Sequence, residues 1–199
     1  MTASKGEITR QSILEAAIAR FGRDGFRATA VADIARDAGV SGTLAYAYFD
    51  NKEALFLAAI DEDAAGVIEQ GLSTVADLTD LRDWRQTLIF TLMEAVEEHP
   101  LARRVLAGLE PEVTERVLEI PALGELRKAC AELISAGQLE GSVRPDIDAT
   151  AMGNGIVSVM LSLLMSVVQV GRGVALAYGA DVAAVFEAAL DHGPPRPAS

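Results

Sequence analysis

The sequence predicts an all-α protein. Half of its 199 residues are hydrophobic while only 5% are aromatic, and Ala, Leu, Val and Glu dominate. That composition suits helices better than strands, which favour Thr, Tyr and Phe. Apolar residues also recur at the three-and-four spacing that lines one face of a helix, and Gly or Pro marks the breaks between runs.

The elements follow in order. Ile13, Leu14, Ala17, Ile18 and Phe21 mark a first helix over residues 7–23, ended between Gly22 and Gly25. Thr29 stands where it would cap a short helix over 30–38, Gly39 offers a left-handed stop, and Ser41 would cap a second short helix through Tyr48. A long helix is expected from about Asn51, with Asp50 and Glu53 at capping-box spacing. Further helices are expected near 80–98, 101–108, 111–118, 122–138, 146–171 and 179–191, separated by Pro100, Pro111, Pro121, Pro145 and Gly171. No linker interrupts residues 50–60, so the long helix is expected to belong to an N-terminal and a C-terminal part alike.

Bulk properties narrow the function. The formal charge of −12 looks wrong for a binder of phosphates, yet residues 1–55 hold seven bases and seven acids, while 56–199 hold ten bases and twenty-two acids. A neutral head on an acidic body presents only its head to a polyanion. The acidity also serves solubility. With Cys130, His99 and His192 as the only Cys and His residues, neither a disulfide nor a Cys/His metal framework is expected. The first residues lack the apolar core of a signal peptide, which points to the cytoplasm, and residues 193–199 read as a flexible tail.

Residues 31–48 carry Ile34, Ala35, Ala38, Gly39, Val40, Ala45 and Tyr48 in the arrangement of two helices crossing through a tight turn. Ala35 is small where the helices touch, Gly39 takes positive φ without steric cost, and Ile34, Val40, Ala45 and Tyr48 can bury against the first helix. Standing alone, the segment favours this arrangement but leaves an ordinary αα-hairpin open as the lesser alternative. Its flanks decide otherwise. Arg10, Ile13, Leu14, Ala16, Ala17, Phe21, Gly25, Phe26 and Thr29 precede Asp33-Ile34-Ala35 and Ala38-Gly39-Val40-Ser41, and Tyr46, Tyr48, Phe49, Asn51, Lys52, Glu53 and Leu55 follow. Over residues 8–57, without a gap, this resembles the TetR family of transcriptional regulators. The resemblance implies an N-terminal three-helix helix-turn-helix DNA-binding domain (1–52), fused through the shared helix to a helical effector-binding and dimerisation domain (53–192). It also implies repression relieved by a small molecule.

Candidate DNA contacts are Thr29, Ser41, Gly42, Thr43, Leu44, Tyr46, Ala47, Tyr48 and Lys52. Lys52 lies in the first turn of its helix, where a cation is unfavourable unless an anion such as a DNA phosphate is present. Thr29 and Ser41 bring hydroxyls and free amides to two other helix starts, as caps, phosphate ligands or both. The resemblance assigns phosphate contact to Thr29, Tyr46 and Lys52. In the recognition helix, Thr43 and Ala47 depart from the family's usual Gly and polar or aromatic residue. No Arg, Asn or Gln there is ready for bidentate base reading, so specificity is expected to lean on methyl contacts and DNA shape. Arg27 and Arg36 are auxiliary candidates.

Residues 149–170 run without a charge, long enough to span a membrane. Asn154, Ser158, Ser162, Ser166 and Gln169 interrupt the run, and a helix buried in protein is expected, with no membrane partner. Family architecture pairs this helix and the last one with their copies in a homodimer, which lets two recognition helices read a palindromic double-stranded DNA operator. The effector pocket is expected among the middle helices, at Trp84, Phe90, Met93, Cys130, Met152, Asn154 and Ser158, with a lipophilic ligand. Any one of these is core by default, and Glu94 and Glu97 would recruit a cation only if they pointed inward. No cofactor, metal or catalytic residue is expected, since no phosphate loop, His-Glu-x-x-His or nucleophile–base pair occurs. A purely protein-binding helical adaptor would leave Thr29, Tyr46 and Lys52 idle.

Overall fold

The structure, a computed structural model, describes residues 4–113 and 115–190, without the side chains of residues 115, 174–178 and 180. All its regular elements are helical, and no strand occurs among the described residues. The expected tail over 193–199 lies outside them.

Helix α1 (Lys5–Ala28) opens with a reciprocal capping box: Ser4 Oγ accepts from Glu7 N (3.2 Å), and the Glu7 carboxylate accepts from Ser4 N (2.6 Å). It runs past the expected stop because Gly25, at φ +83°, kinks the helix and does not end it. Helices α2 (Val31–Asp37) and α3 (Gly42–Tyr48) are joined through Gly39 at φ +69°, the left-handed turn that only glycine takes without strain. Ile34, Ala35 and Ala45 are buried, as are Ile13, Leu14, Ala17 and Phe21 of α1, so the three-helix unit has a closed apolar centre. Phe56 packs edge-on against Phe21 with ring centroids 4.8 Å apart, and lies 4.8 Å from Phe26.

Helix α4 (Lys52–Val75) is followed by α5 (Leu81–Glu98) and α6 (Pro100–Leu106). The helix expected over 111–118 is replaced by two 3-10 turns, Pro111–Val113 and Glu115–Glu119. Val113 N bonds back three residues to Glu110 O (3.2 Å), and so short a segment closes i→i+3 rings instead of an α turn. Helix α7 is Pro121–Glu140 and α8 is Ala149–Val170, begun by Asp148, whose carboxylate accepts from Ala151 N (2.7 Å). Gly171, at φ +97°, interrupts the chain only briefly, so α9 (Arg172–Leu190) starts seven residues earlier than the expected 179.

Contacts divide the described chain into two compact units. The first comprises residues up to Val67 with Ala95–Ala122; the second comprises Ile68–Glu94 with residues from Leu123 onward. The expected division at 52/53 therefore does not coincide with the contact boundary. Two buried carboxylates explain why α6 belongs with the helix-turn-helix. Asp63 of α4 accepts from Leu101 N (2.9 Å) and Ala102 N (2.8 Å), capping α6 from outside, and also meets His99 Nδ1 (2.8 Å). Glu110 accepts from Arg104 Nε (2.7 Å) and from Phe26 N (3.2 Å), the amide released by the Gly25 kink.

In the second unit Trp84, Leu88 and Leu92 of α5, Leu126, Cys130 and Ile134 of α7, and Ile156, Met160 and Leu164 of α8 form the core. By length and composition α8 could cross a membrane, and a third of its most apolar stretch is buried in the protein. Its Asn154, Ser158, Ser162 and Ser166 are exposed, and the three serine hydroxyls donate to the carbonyl four residues back (2.8–2.9 Å).

Candidate nucleic-acid interface and effector cavity

Helix α3 buries Ala45 and exposes four of its other residues. Ala45 is inside, whereas Thr43, Leu44, Tyr46 and Ala47 are exposed, Tyr46 by 53%. Ser41 Oγ accepts from Leu44 N (3.1 Å), so this expected cap is present. Beyond its chain neighbours and the backbone of its own helix, nothing lies within 4 Å of where a Cβ on Gly42 would stand, which leaves the start of α3 open to close approach. Tyr48 is half-buried, and a Cβ on Gly6 would stand 3.6 Å from its Oη, so it faces the beginning of α1. The half-buried Lys52 holds its Nζ 4.5 Å from the centre of the Phe26 ring, a cation–π contact that fixes the ammonium at the start of α4.

Two expectations at these helix starts are corrected. Thr29 is buried and its hydroxyl donates to Gly25 O (2.8 Å), so it closes the end of α1 and offers no side-chain oxygen to α2 or to solvent. The residue ahead of α2 is Ala30, which has no side-chain cap. At α4 the cap is Asn51, whose Oδ1 accepts from Ala54 N (2.8 Å), in place of the expected Asp50 and Glu53 arrangement. The auxiliary arginines are both paired, Arg27 with Glu112 and Arg36 with Asp33 (2.6 Å). Such exposed pairs are worth about 0–1 kcal/mol and are readily exchanged for a phosphate. Arg20 donates to Asp37 through two nitrogens, and that contact holds the Asp37 carboxyl below its ordinary range while tying α2 to α1. Arg10, given no role from sequence, is exposed with its guanidinium 5.2 Å from the Phe49 ring centre.

The seven expected effector residues do not converge. Phe90 and Met93 line a cavity of about 480 Å³ within the second unit, walled also by Met160 and Val167 of α8 and Phe186 of α9. Trp84 and Cys130 are core residues outside its lining, and burial pushes the Cys130 thiol up to about 12. Asn154 lies on a separate depression with Arg127 and Lys128, while Met152 and Ser158 line neither. The expectation missed α9 because its apolar residues carry no distinguishing pattern. It missed Arg85 because exposed arginines are the rule, although Arg85 follows Leu81 and precedes Leu88 and Leu92 in the spacing of the buried stripe.

Residues 13–59 match the model for bacterial regulatory proteins of the tetR family. The chain is similar to the HTH-type transcriptional repressor KstR2 of Rhodococcus jostii, at 31% identity over 149 residues, 70% of each protein. It is similar also to the HTH-type transcriptional repressor NicS of Pseudomonas putida, at 29% over 156 residues, covering 74% of this chain and 72% of NicS. Among solved structures, Thermus thermophilus FadR, a TetR family transcriptional repressor in complex with lauroyl-CoA, superposes with a TM-score of 0.66 at 24% identity over 96% of this chain and all of that one. A TetR family regulator from Cytophaga hutchinsonii reaches 0.73 at 21% identity, over 98% of this chain and all of its own. With the helix-turn-helix geometry in place and KstR2 matched along more than two thirds of both proteins, the chain belongs to the TetR family of helix-turn-helix transcriptional regulators.

Proposed function

We propose that the protein is a cytoplasmic repressor that binds a palindromic operator as a homodimer and is released by a small, lipophilic effector. The observation that carries this reading is the outward face of α3, where Thr43, Leu44, Tyr46 and Ala47 stand exposed between the Ser41 cap and Lys52 at the next helix start. Residues 1–52 are proposed as the DNA-reading part, with Ser41, Tyr46, Tyr48 and Lys52 toward phosphates and Gly42, Thr43, Leu44 and Ala47 toward the major groove. Thr29 takes part only by holding the end of α1.

Residues 53–192 are proposed to bind the effector and to form the dimer through α8 and α9. In support, the serine stripe of α8 is exposed in the single chain, as are Val170 (62%) and Val185 (66%). The supporting parallels are the repressor relatives and the lauroyl-CoA complex of a protein with this fold. Helix α4 supplies Lys52 to the first unit and its last turns to the second, so a shift of α4 on ligand binding would alter the spacing of the two α3 helices. Coupling of about 1–3 kcal/mol suffices for such a switch. The protein is proposed to act by binding alone, and consumption of a substrate by the purified protein would contradict that.

Selection from a random duplex library, followed by anisotropy titration of the selected DNA, tests the reading. Enrichment of a two-fold-symmetric sequence bound by a dimer is expected. Enrichment of nothing above background would refute it.

A further inference from the structure

We infer that the ligand of the second unit's cavity is an amphipathic carboxylic acid whose carboxylate pairs with Arg85 while its apolar body lies among α5, α8 and α9. The inference rests on the reading that a small lipophilic molecule occupies this cavity, and adds the charge and position of its head group.

Arg85 is nine-tenths buried, at 9% exposure, and lines the cavity. Its neighbour Arg82 is exposed and has Glu187 3.2 Å away. Arg85 itself gives one hydrogen bond, from Nε to Leu81 O at a long 3.3 Å, and its guanidinium stands 5.1 Å from the Phe186 ring centre. Among the described residues it has no other hydrogen bond and no carboxylate at ion-pair distance. Asp80 is engaged at the start of α5, accepting from Arg82 N (2.8 Å) and Asp83 N (3.0 Å). Cys130 is a neutral thiol at neutral pH.

A guanidinium keeps its proton even when buried, so Arg85 is a cation on the cavity wall with no carboxylate at ion-pair distance among the described residues. Burial acts on it more strongly than the attraction of Glu187 does, and its hold on the proton is weakened accordingly. The planar fork suits a carboxylate, which accepts two of its N–H groups at once. Gln86 supplies an amide on the same wall, the mutually paired Arg82 and Glu187 also reach the lining, and Ile89, Phe90, Leu163 and Met160 give the cavity its apolar part. A neutral lipid would leave the cation unpaired and an ammonium would be repelled by it. A cavity of about 480 Å³ lies within the range of small-molecule sites.

The full chain is titrated with decanoate, decanol and decanoyl-coenzyme A, read by the fluorescence of Trp84, the single tryptophan and the residue next to Arg85. Decanoate is expected to bind at least tenfold more tightly than decanol. Arg85→Met should abolish that preference while leaving decanol binding in place, and Arg85→Lys should restore part of it. The ratio of the two affinities is the diagnostic, since a variant that merely loosened the fold would weaken both ligands together. Equal affinities in the wild type, an unchanged preference in Arg85→Met, no binding of either ligand, or binding of the thioester alone would each overturn the inference. Decanoate bound through Arg85 with no change in affinity for the selected operator would leave the inference standing and remove the switching model instead.

Discussion

Gly25 is where one residue type decides a local structure. At φ +83° its missing side chain leaves room for Arg104 Nη2, which would lie 2.4 Å from a Cβ, and for Glu110 Oε1 at 2.8 Å. Gly25→Ala therefore meets a backbone penalty and a displaced buried ion pair together, and a loss of about 3–5 kcal/mol in chemical unfolding is expected. A loss within experimental error would mean that the kink relaxes. Cys130 gives a second residue-level test. Burial raises its thiol from 9.0 to about 12, so the native chain should leave a thiol reagent unreacted at neutral pH and release one equivalent on unfolding. The folded state favours the protonated form. Its contribution is therefore whole below about pH 9 and is lost as pH rises toward 12, where wild-type stability should fall more steeply than that of Cys130→Ala.

Helix α6 shows how an element can depend on a side chain far away in sequence. Its own N-cap, His99, makes no side-chain cap bond, and Asp63 of α4 satisfies the amides of Leu101 and Ala102. Asp63→Ala leaves both buried donors without a partner, and a loss of about 2–4 kcal/mol is expected in thermal or urea unfolding, with Asp63→Asn intermediate. No loss would assign the capping to water. This dependence was not legible from sequence, because nothing local links Asp63 to residues 101–102. The helices themselves were legible where periodicity and punctuation agreed: Gly39 turned as its position required, and Ser41 capped α3. Thr29 and Asp50 have cap chemistry too, but Thr29 spends its hydroxyl on Gly25 O and Asn51 caps α4 in place of Asp50, outcomes that spacing does not rank. The exposed face of α3 was readable because the pattern places Ala45, the one buried residue of that helix, in the core. The cavity lining was not, since it includes an arginine inside an apolar stripe and residues of a helix that starts seven residues before its pattern.

At the scale of the whole molecule, the dimer and the DNA contact are separable claims. Ser162 lies midway along the exposed stripe of α8. Ser162→Arg is expected to convert dimers to monomers in sedimentation at micromolar concentration by placing two like charges near the two-fold axis, whereas an unchanged mass would move the interface elsewhere. The charge arrangement also has a measurable consequence. Binding that releases counterions weakens as salt rises, and Lys52→Ala should lower the slope of log affinity against log salt by about one for each protomer. The most direct test of the central claim is chromatin-wide mapping of bound sites for the wild type and for a Tyr46→Ala, Lys52→Ala variant whose fold is verified by circular dichroism. The wild type is predicted to recover reproducible two-fold-symmetric sites that the variant loses; absence of such sites in the wild type, or their retention by the variant, would contradict it.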